Sequence, residues 1–297
     1  MSSTTQTLVP AANNKHADQI QNKQPTENQS ALQAISQGTE IQGIPSFTSI
    51  DKKRRWMLEH MAGAFRVFAR KGFSEGMSGH ISLRDPEHPD TFWTNPLGLH
   101  FGQVKVSDLI LLDHNGSPVG GNLSRPANAA GFQIHSAIHR HYPHVNAACH
   151  AHSVHGKAWS AFAKPLEMIN QDVAIFYGRA QAVYSDFGGV VLDPEESERL
   201  ASSLGPEGKL LILRNHGLIT VGETVDEAAY LFTLAERSCE IQLKADAAEA
   251  NGLKKMMIPQ KAAEFTYKMT SDSEALYVEF QPDYEMEREL CNDNFLQ

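Results

Sequence analysis

The chain has 297 residues, 41% of them hydrophobic and 21% charged, with a formal net charge of −9. That content supports a sizeable core, and the acidic balance excludes a nucleic-acid partner or a polybasic membrane contact. No apolar run approaches the roughly 18 residues of a membrane helix, and no secretory leader is visible. The three cysteines, Cys149, Cys239 and Cys291, are scattered and odd in number. A soluble, cytoplasmic protein in a reducing compartment is therefore expected.

Residues 1–45 hold no aromatic side chain and are rich in Gln, Asn, Ser and Thr. They are expected to form a disordered arm, the alternative being a short helix that folds against a partner subunit. The texture changes at Asp51, where "RRWMLEHMAGAFRVFARKGF" repeats apolar residues at helical spacing up to Gly72. "HISLRD" (80–85) alternates as a strand. "FWTNP" (92–96) and "LILLDHNGSPV" (109–119) follow, the latter with a tight-turn signal at Asn115-Gly116. "ANAAGFQIHSAIHRHY" (127–142) reads as a helix, and "VNAACHAH" (145–152) as a strand entering the helix "SVHGKAWSAF".

"KLLILRNHGLITVG" (209–222) is two apolar runs broken at Asn215-His216-Gly217, a hairpin in which Gly217 supplies positive φ. Residues 224–252 read as a long helix with a Thr224…Glu227 capping box and Gly252 just past its end. The last forty residues offer one possible strand, "ALYVEF", and an acidic tail. Strands with interspersed helices on hairpin-like connections predict an α/β layered domain with a mainly antiparallel sheet. It is expected over 46–270, with 271–297 a C-terminal extension of the same domain.

The chemistry concentrates in "HAHSVHG" (150–156). Residues two apart on a strand share a face, so His150 and His152 converge while Cys149 and Ala151 point away. Paired imidazoles on an apolar strand are costly unless hydrogen-bonded or ligating. His216, at the tip of an apolar hairpin, is the candidate third ligand. Three histidines would hold a divalent metal with coordination positions left open, as catalytic zinc sites do. His155 falls past the strand end and is assigned a supporting or surface role.

"GMSGHISLRD", "TNPLG", "AGFQIHSAIH", "VNAACHAHS", "VYSDFGG" and "ILRNHGLITVG" together resemble the class II aldolase/adducin domain in order and spacing, over roughly 55–250. The resemblance implies a three-layer α/β/α fold with a mainly antiparallel central sheet. It also implies a homotetramer with sites between subunits and a divalent metal, zinc first, with manganese or iron as alternatives. The implied ligands are His150, His152 and His216, and the implied catalytic tyrosine, delivered across a subunit interface, is Tyr184.

The departures from that family's aldolases are as informative. Their Ser-Ser-Glu run, counted back from His135, reads Ala129-Ala130-Gly131 here, which offers neither hydroxyl nor carboxylate. Their Gly-Asn becomes Gly79-His80, and their Thr-Pro-Ser-Gly becomes Asn95-Pro96-Leu97-Gly98. His80 is a candidate acid, base or anion binder, its alternative being an ordinary strand histidine. Asn95, Gly98 and His135 are the candidate substrate-binding positions. "AGF…H" also resembles adducin, but adducin's neck and Lys-rich tail have no counterpart.

The expected function is a metal-dependent lyase working through a metal-stabilised enolate. C–C cleavage and decarboxylation both pass through it, on a small, non-phosphorylated carbonyl or hydroxy-acid substrate. The alternatives are a non-haem iron oxygenase of the same fold and a non-catalytic, adducin-like scaffold.

Overall fold

The computed structural model describes residues 30–36, 39, 41–189 and 193–297. The chain divides into two compact units, Met1–Ile41 and Gln42–Gln297. Most of the arm expected over 1–45 lies outside the described residues. Its described part contains one short helix, α1 (Ala31–Ile35), whose N-terminus is closed by a reciprocal Ser30–Gln33 capping box.

The second unit begins with α2 (Ile50–Arg70), followed by β1 (His80–Arg84), β2 (Phe92–Thr94), β3 (Ile110–Leu112) and β4 (Pro118–Gly121). Next come α3 (Ala129–His141), β5 (Ala147–Ala151), α4 (Val154–Ser160), β6 (Gln181–Tyr184) and α5 (Pro194–Leu204). The hairpin β7 (Leu210–Leu213) and β8 (Gly217–Gly222) leads into α6 (Val225–Ala250), α7 (Gln260–Thr270) and α8 (Ser273–Cys291). Among the described residues the strands form one sheet of order β4-β3-β2-β1-β5-β8-β7-β6. Only β6 and β7 pair in parallel; the other neighbours are antiparallel.

Helices cover both faces of the central strands, which explains why β5, β7 and β8 are almost wholly apolar rather than alternating. Ile81, Leu83, Cys149, Leu210, Ile212 and Leu218 face a core shared with α2, α6 and α8. Ala148, Leu211, Leu213, Ile219 and Val221 face a second core built with α3 and α5. The α/β/α layering and mainly antiparallel sheet are as the sequence led us to expect.

The expected strand "ALYVEF" is instead part of the 19-residue helix α8. Six apolar-rich residues do not separate strand from helix. The stripe Leu276, Phe280, Tyr284, Glu287 continues beyond them at helical spacing, and Asp272 caps the start by accepting Ala275 N–H at 3.0 Å. That stripe packs on α2 and α6. The capping box of α6 is half formed: Thr224 Oγ1 accepts Glu227 N–H at 3.1 Å. The Glu227 carboxylate accepts from Glu223 N–H at 2.9 Å and Lys209 Nζ at 2.5 Å instead.

Candidate metal centre and active site

Strand register decides which histidines meet. In the antiparallel β1–β5 pair His80 stands directly opposite His150. Cys149 and Ala151 belong to the α2/α6 core and Ala148 to the α3/α5 core, so alternation puts His150 on the α3 side. His152 follows two residues on, just past the strand end. The β7–β8 reversal presents His216 to this pair. Two residues of the turn have positive φ, Asn215 (φ 57°) and, as expected, Gly217 (φ 156°). Asn tolerates that region through its short polar side chain, and glycine has no β-carbon to hinder it.

The rings of His150 and His152 are 5.1 Å apart between centroids, His150 and His216 4.8 Å, and His152 and His216 5.1 Å. One nitrogen from each lies within 4.8 Å of the others, and His152 Nε2 is 3.1 Å from His216 Nε2. Two nitrogens held by one zinc-sized ion are about 3.3 Å apart in tetrahedral geometry. His150 Nδ1 is 2.8 Å from Leu218 O. A carbonyl only accepts, so Nδ1 carries the hydrogen and Nε2 keeps its lone pair for a ligand. The donor set fits a divalent metal with coordination positions to spare.

Burial lowers the pKa of His150 well below the ordinary imidazole value, with His216, His80 and His152 adding to it. His216 is lowered to about 4 by burial and by His152, and His152 is lowered by burial and by Lys157. All three are neutral near pH 7, the form that ligates metals.

The three histidines and His80 form one side of a cavity of about 460 Å³. The N-terminal turn of α3 (Asn128, Ala130, Gly131), Ile134, Phe187 and Lys157 also line it. The Lys157 ammonium is paired with Glu75. Asn128 Oδ1 accepts the Gly131 N–H at 3.1 Å, so this backbone donor is already used. Gly79 has φ 93°, and a β-carbon there would stand 3.1 Å from His150 O, so glycine is required for β1 to start beside β5.

The other candidate residues divide. His80 lies in the wall beside His150, at 5.0 Å between ring centroids. His135, 1% exposed, sits behind His80 at 4.2 Å and does not line the cavity. Asn95 and Gly98 do not line it either. Their loop is tied to the segment entering α3 through the Pro96–Ala127 bridge and a 2.7 Å bond from Leu97 N–H to Pro126 O. Tyr184 packs in the α3/α5 core with Leu200 and Leu213, its hydroxyl buried. It also lines a second, smaller cavity together with Phe187 and His216.

Residues that motif reading missed complete the surroundings. Glu236 of α6 closes the N-terminus of α4, accepting from Ser153 Oγ (2.5 Å), His155 N–H (2.9 Å) and Gly156 N–H (2.6 Å). Its Oε1 also lies 3.0 Å from His155 Nδ1, which gives His155 its supporting role. Ser82 and His139 form hydrogen bonds deeper on the α3 side. Glu236 is about eighty residues from its partners, so no local signal marks it.

A cluster of three histidines thus opens into a cavity at the strand ends of an α/β/α layer. The family profile described as "Class II Aldolase and Adducin N-terminal domain" matches residues 59–243, and the chain belongs to that family. It is 43% identical over 244 residues (82% of this chain, 93% of the relative) to the meiotically up-regulated gene 14 protein of Schizosaccharomyces pombe. It is 40% identical over 243 residues (81% and 87%) to the decarboxylase NovR of Streptomyces niveus. A protein of Streptomyces roseochromogenus named 4-hydroxy-3-prenylphenylpyruvate oxygenase/4-hydroxy-3-prenylbenzoate synthase is 43% identical over 206 residues (69% and 73%). Among solved structures, the L-fuculose 1-phosphate aldolase from Glaciozyma antarctica PI12 superposes with a TM-score of 0.78 at 39% identity, covering 85% and 96% of the two chains.

Proposed function

We propose that the protein is a metal-dependent lyase that breaks the bond between the α carbon of a carbonyl and a carboxylate or hydroxyl-bearing carbon in a small, non-phosphorylated acid. The observation that carries this reading is the three-histidine cluster opening into a cavity lined by Ala130 and Gly131, where resemblance to the family's aldolases implies a serine and a glutamate. His150, His152 and His216 would hold a divalent ion, zinc in the first instance, which would supply Lewis-acid stabilisation to negative charge developing on the substrate. The chain's own residues do the rest. Ile134 and Phe187 offer apolar contact to the substrate's side chain, Lys157 puts a cation in the wall, and His80 offers a ring nitrogen to the reacting end. Decarboxylation is favoured over retro-aldol cleavage because it needs no prior proton abstraction and so no glutamate base. The decarboxylase name of a 40%-identical relative supports this.

Met77 (64% exposed) and Phe187 (54% exposed) stand at or next to the cavity wall and support a homotetramer in which a neighbouring subunit covers the site. The family name includes adducin, yet a scaffold has no need of a converged, neutral ligand set opening into a cavity.

The test is metal content and turnover together. Purified protein is expected to hold about one divalent ion per chain, lost in His150→Ala/His152→Ala. With zinc or manganese it is expected to release carbon dioxide from 3-oxo acids or an aldehyde from 4-hydroxy-2-oxo acids, the cleavages that leave an enolate. A metal-free wild type would overturn the enzyme reading in favour of a scaffold. Turnover of L-fuculose 1-phosphate in preference to every acid would overturn the non-phosphorylated substrate. The 43%-identical relative named as an oxygenase favours one second reading, a non-haem iron enzyme. It predicts bound iron and oxygen consumption with the same acids.

A further inference from the structure

The wall of the cavity carries little charge of its own. Burial keeps its histidines neutral. Among the described residues that line it, Lys157 alone bears a full charge at neutral pH. Lys157 stands in the first turn of α4, where its N–H donates to Ser153 O at 3.0 Å. The Glu236 carboxylate that holds Ser153 and Gly156 therefore also fixes the backbone from which this ammonium reaches the cavity.

The counter-ion of Lys157 comes from outside the wall. Glu75 lies on the connection from α2 to β1, in a tight turn closed by Ser78 N–H donating to Glu75 O at 3.0 Å. Gly76, at φ 58°, permits the reversal. The turn places Ser78 in the cavity wall and the Glu75 carboxylate on the Lys157 ammonium. The hydrogen bond and charge of Lys157 hold the Glu75 carboxyl below its ordinary pKa, with His152 adding to it, so both partners are ionised.

This pair is loosely held. The Lys157 side chain is 36% exposed and that of Glu75 55%, and ion pairs so open to water contribute little to stability. Neither head group has a second partner among the described residues. Lys255, by contrast, is held by three carboxylates, Glu167, Asp246 and Glu249. An acid entering the cavity thus meets an ammonium whose partner is free to turn into solvent. Its carboxylate takes over the contact with no change in the number of paired charges. A dianion finds no second cation in the described wall, and the displaced Glu75 repels it twice as strongly as a monoanion.

We propose that Lys157 receives the substrate carboxylate and that Glu75 is its exchangeable counter-ion, which restricts the cavity to monoanions and works against dianions such as phosphate esters. Glu75 acts through Lys157 and is a positioning residue. The inference rests on the reading of the cavity as a metal-dependent acid-binding site.

The test is calorimetric titration of the zinc-loaded full chain with benzoate and with phenylphosphonate, in alkaline buffer where the phosphonate carries two charges. Glu75→Gln is expected to tighten benzoate about threefold, the effect of freeing one half-exposed ammonium. Phenylphosphonate, with twice the charge, is expected to tighten about tenfold. Lys157→Met is expected to weaken both anions, and Glu75→Asp, which keeps the charge, to restore the wild-type ratio between them. That ratio is the reading that a merely structural ion pair would not move. Zinc content is measured in each variant, so that a lost ion is not taken for lost anion binding. Unchanged affinities in Glu75→Gln, equal tightening of the two anions, or wild-type binding by Lys157→Met overturns the inference and leaves the metal site standing. If zinc-loaded wild type binds neither anion, the acid-binding reading falls, and the charge selectivity with it.

Discussion

Glu236 accepts the Ser153 hydroxyl at 2.5 Å, and Ser153 is the residue that follows the candidate ligand His152. One carboxylate from the long helix α6 thus clamps the backbone where "HAH" leaves the sheet. Glu236→Ala is expected to destabilise the fold by about 2–4 kcal/mol in urea denaturation, since two buried N–H groups and a hydroxyl lose their acceptor. Zinc affinity should fall about tenfold in the same variant, as removal of an orienting partner generally does. Glu236→Gln, with one acceptor oxygen left, should fall between.

His139 gives the stability a specific acid dependence. Burial, with Arg84 adding, lowers its pKa to about 3 from an unfolded value of 6.5. Between those values the unfolded chain binds a proton that the folded chain does not, so stability falls as pH drops from 6.5 towards 3. The slope is about 1.4 kcal/mol per pH unit for one group. His139→Asn, which can keep the bond to Val145 O, should be less stable at pH 7.5 yet show a flatter decline between pH 6.5 and 5 in metal-free protein.

Positions 80 and 131 should be strongly coupled. Gly131→Glu restores the acidic residue type of the family's aldolases but drives a side chain into the His80 ring. The double variant Gly131→Glu/His80→Asn should recover at least about 1 kcal/mol relative to the sum of the single changes. Thermal unfolding of all four proteins closes that cycle.

The buried pair His60–Asp226, 2.6 Å apart, joins α2 to α6 beneath α8, with Gln281 Nε2 donating to the same Oδ1 at 2.9 Å. Tyr284 stacks on His60 at 4.1 Å. His60→Ala leaves the carboxylate short of its main partner and should cost about 3–5 kcal/mol in denaturant. Asp226→Asn, which removes the charge and keeps an acceptor, should cost less.

Metal should stabilise the fold through mass action. Zinc at a hundredfold excess over its Kd is expected to add about 2.7 kcal/mol to metal-free wild type. His150→Ala/His152→Ala should show no such gain in the same melts.

Strand parity alone separated His150 and His152 from His155, because a two-residue period needs no tertiary knowledge. The central strands were equally legible as unbroken apolar runs. The His80–His150 pairing was not, since cross-strand register depends on partners that lie seventy residues apart. "ALYVEF" misled because six residues fit either period, and the helical stripe shows only when Tyr284 and Glu287 are counted with it. Tyr184 is named by resemblance of motif alone, and its place beside His216 in a small cavity depends on how α5 packs over β6 and β7. The hydrogen bonds of Ser82 with His135 and His139 join three residues of ordinary polar type, and nothing short of their common placement distinguishes them.

β5 and β8 lie side by side at the centre of the sheet, and His150, His152 and His216 all stand on or at the ends of those two strands and their hairpin. The rest of the cavity lining comes largely from elsewhere: position 80 on a neighbouring strand, 128–134 on α3, 157 on α4, and 187 on the segment after β6. The wall around the three histidines can therefore vary without any change to the two strands that carry them.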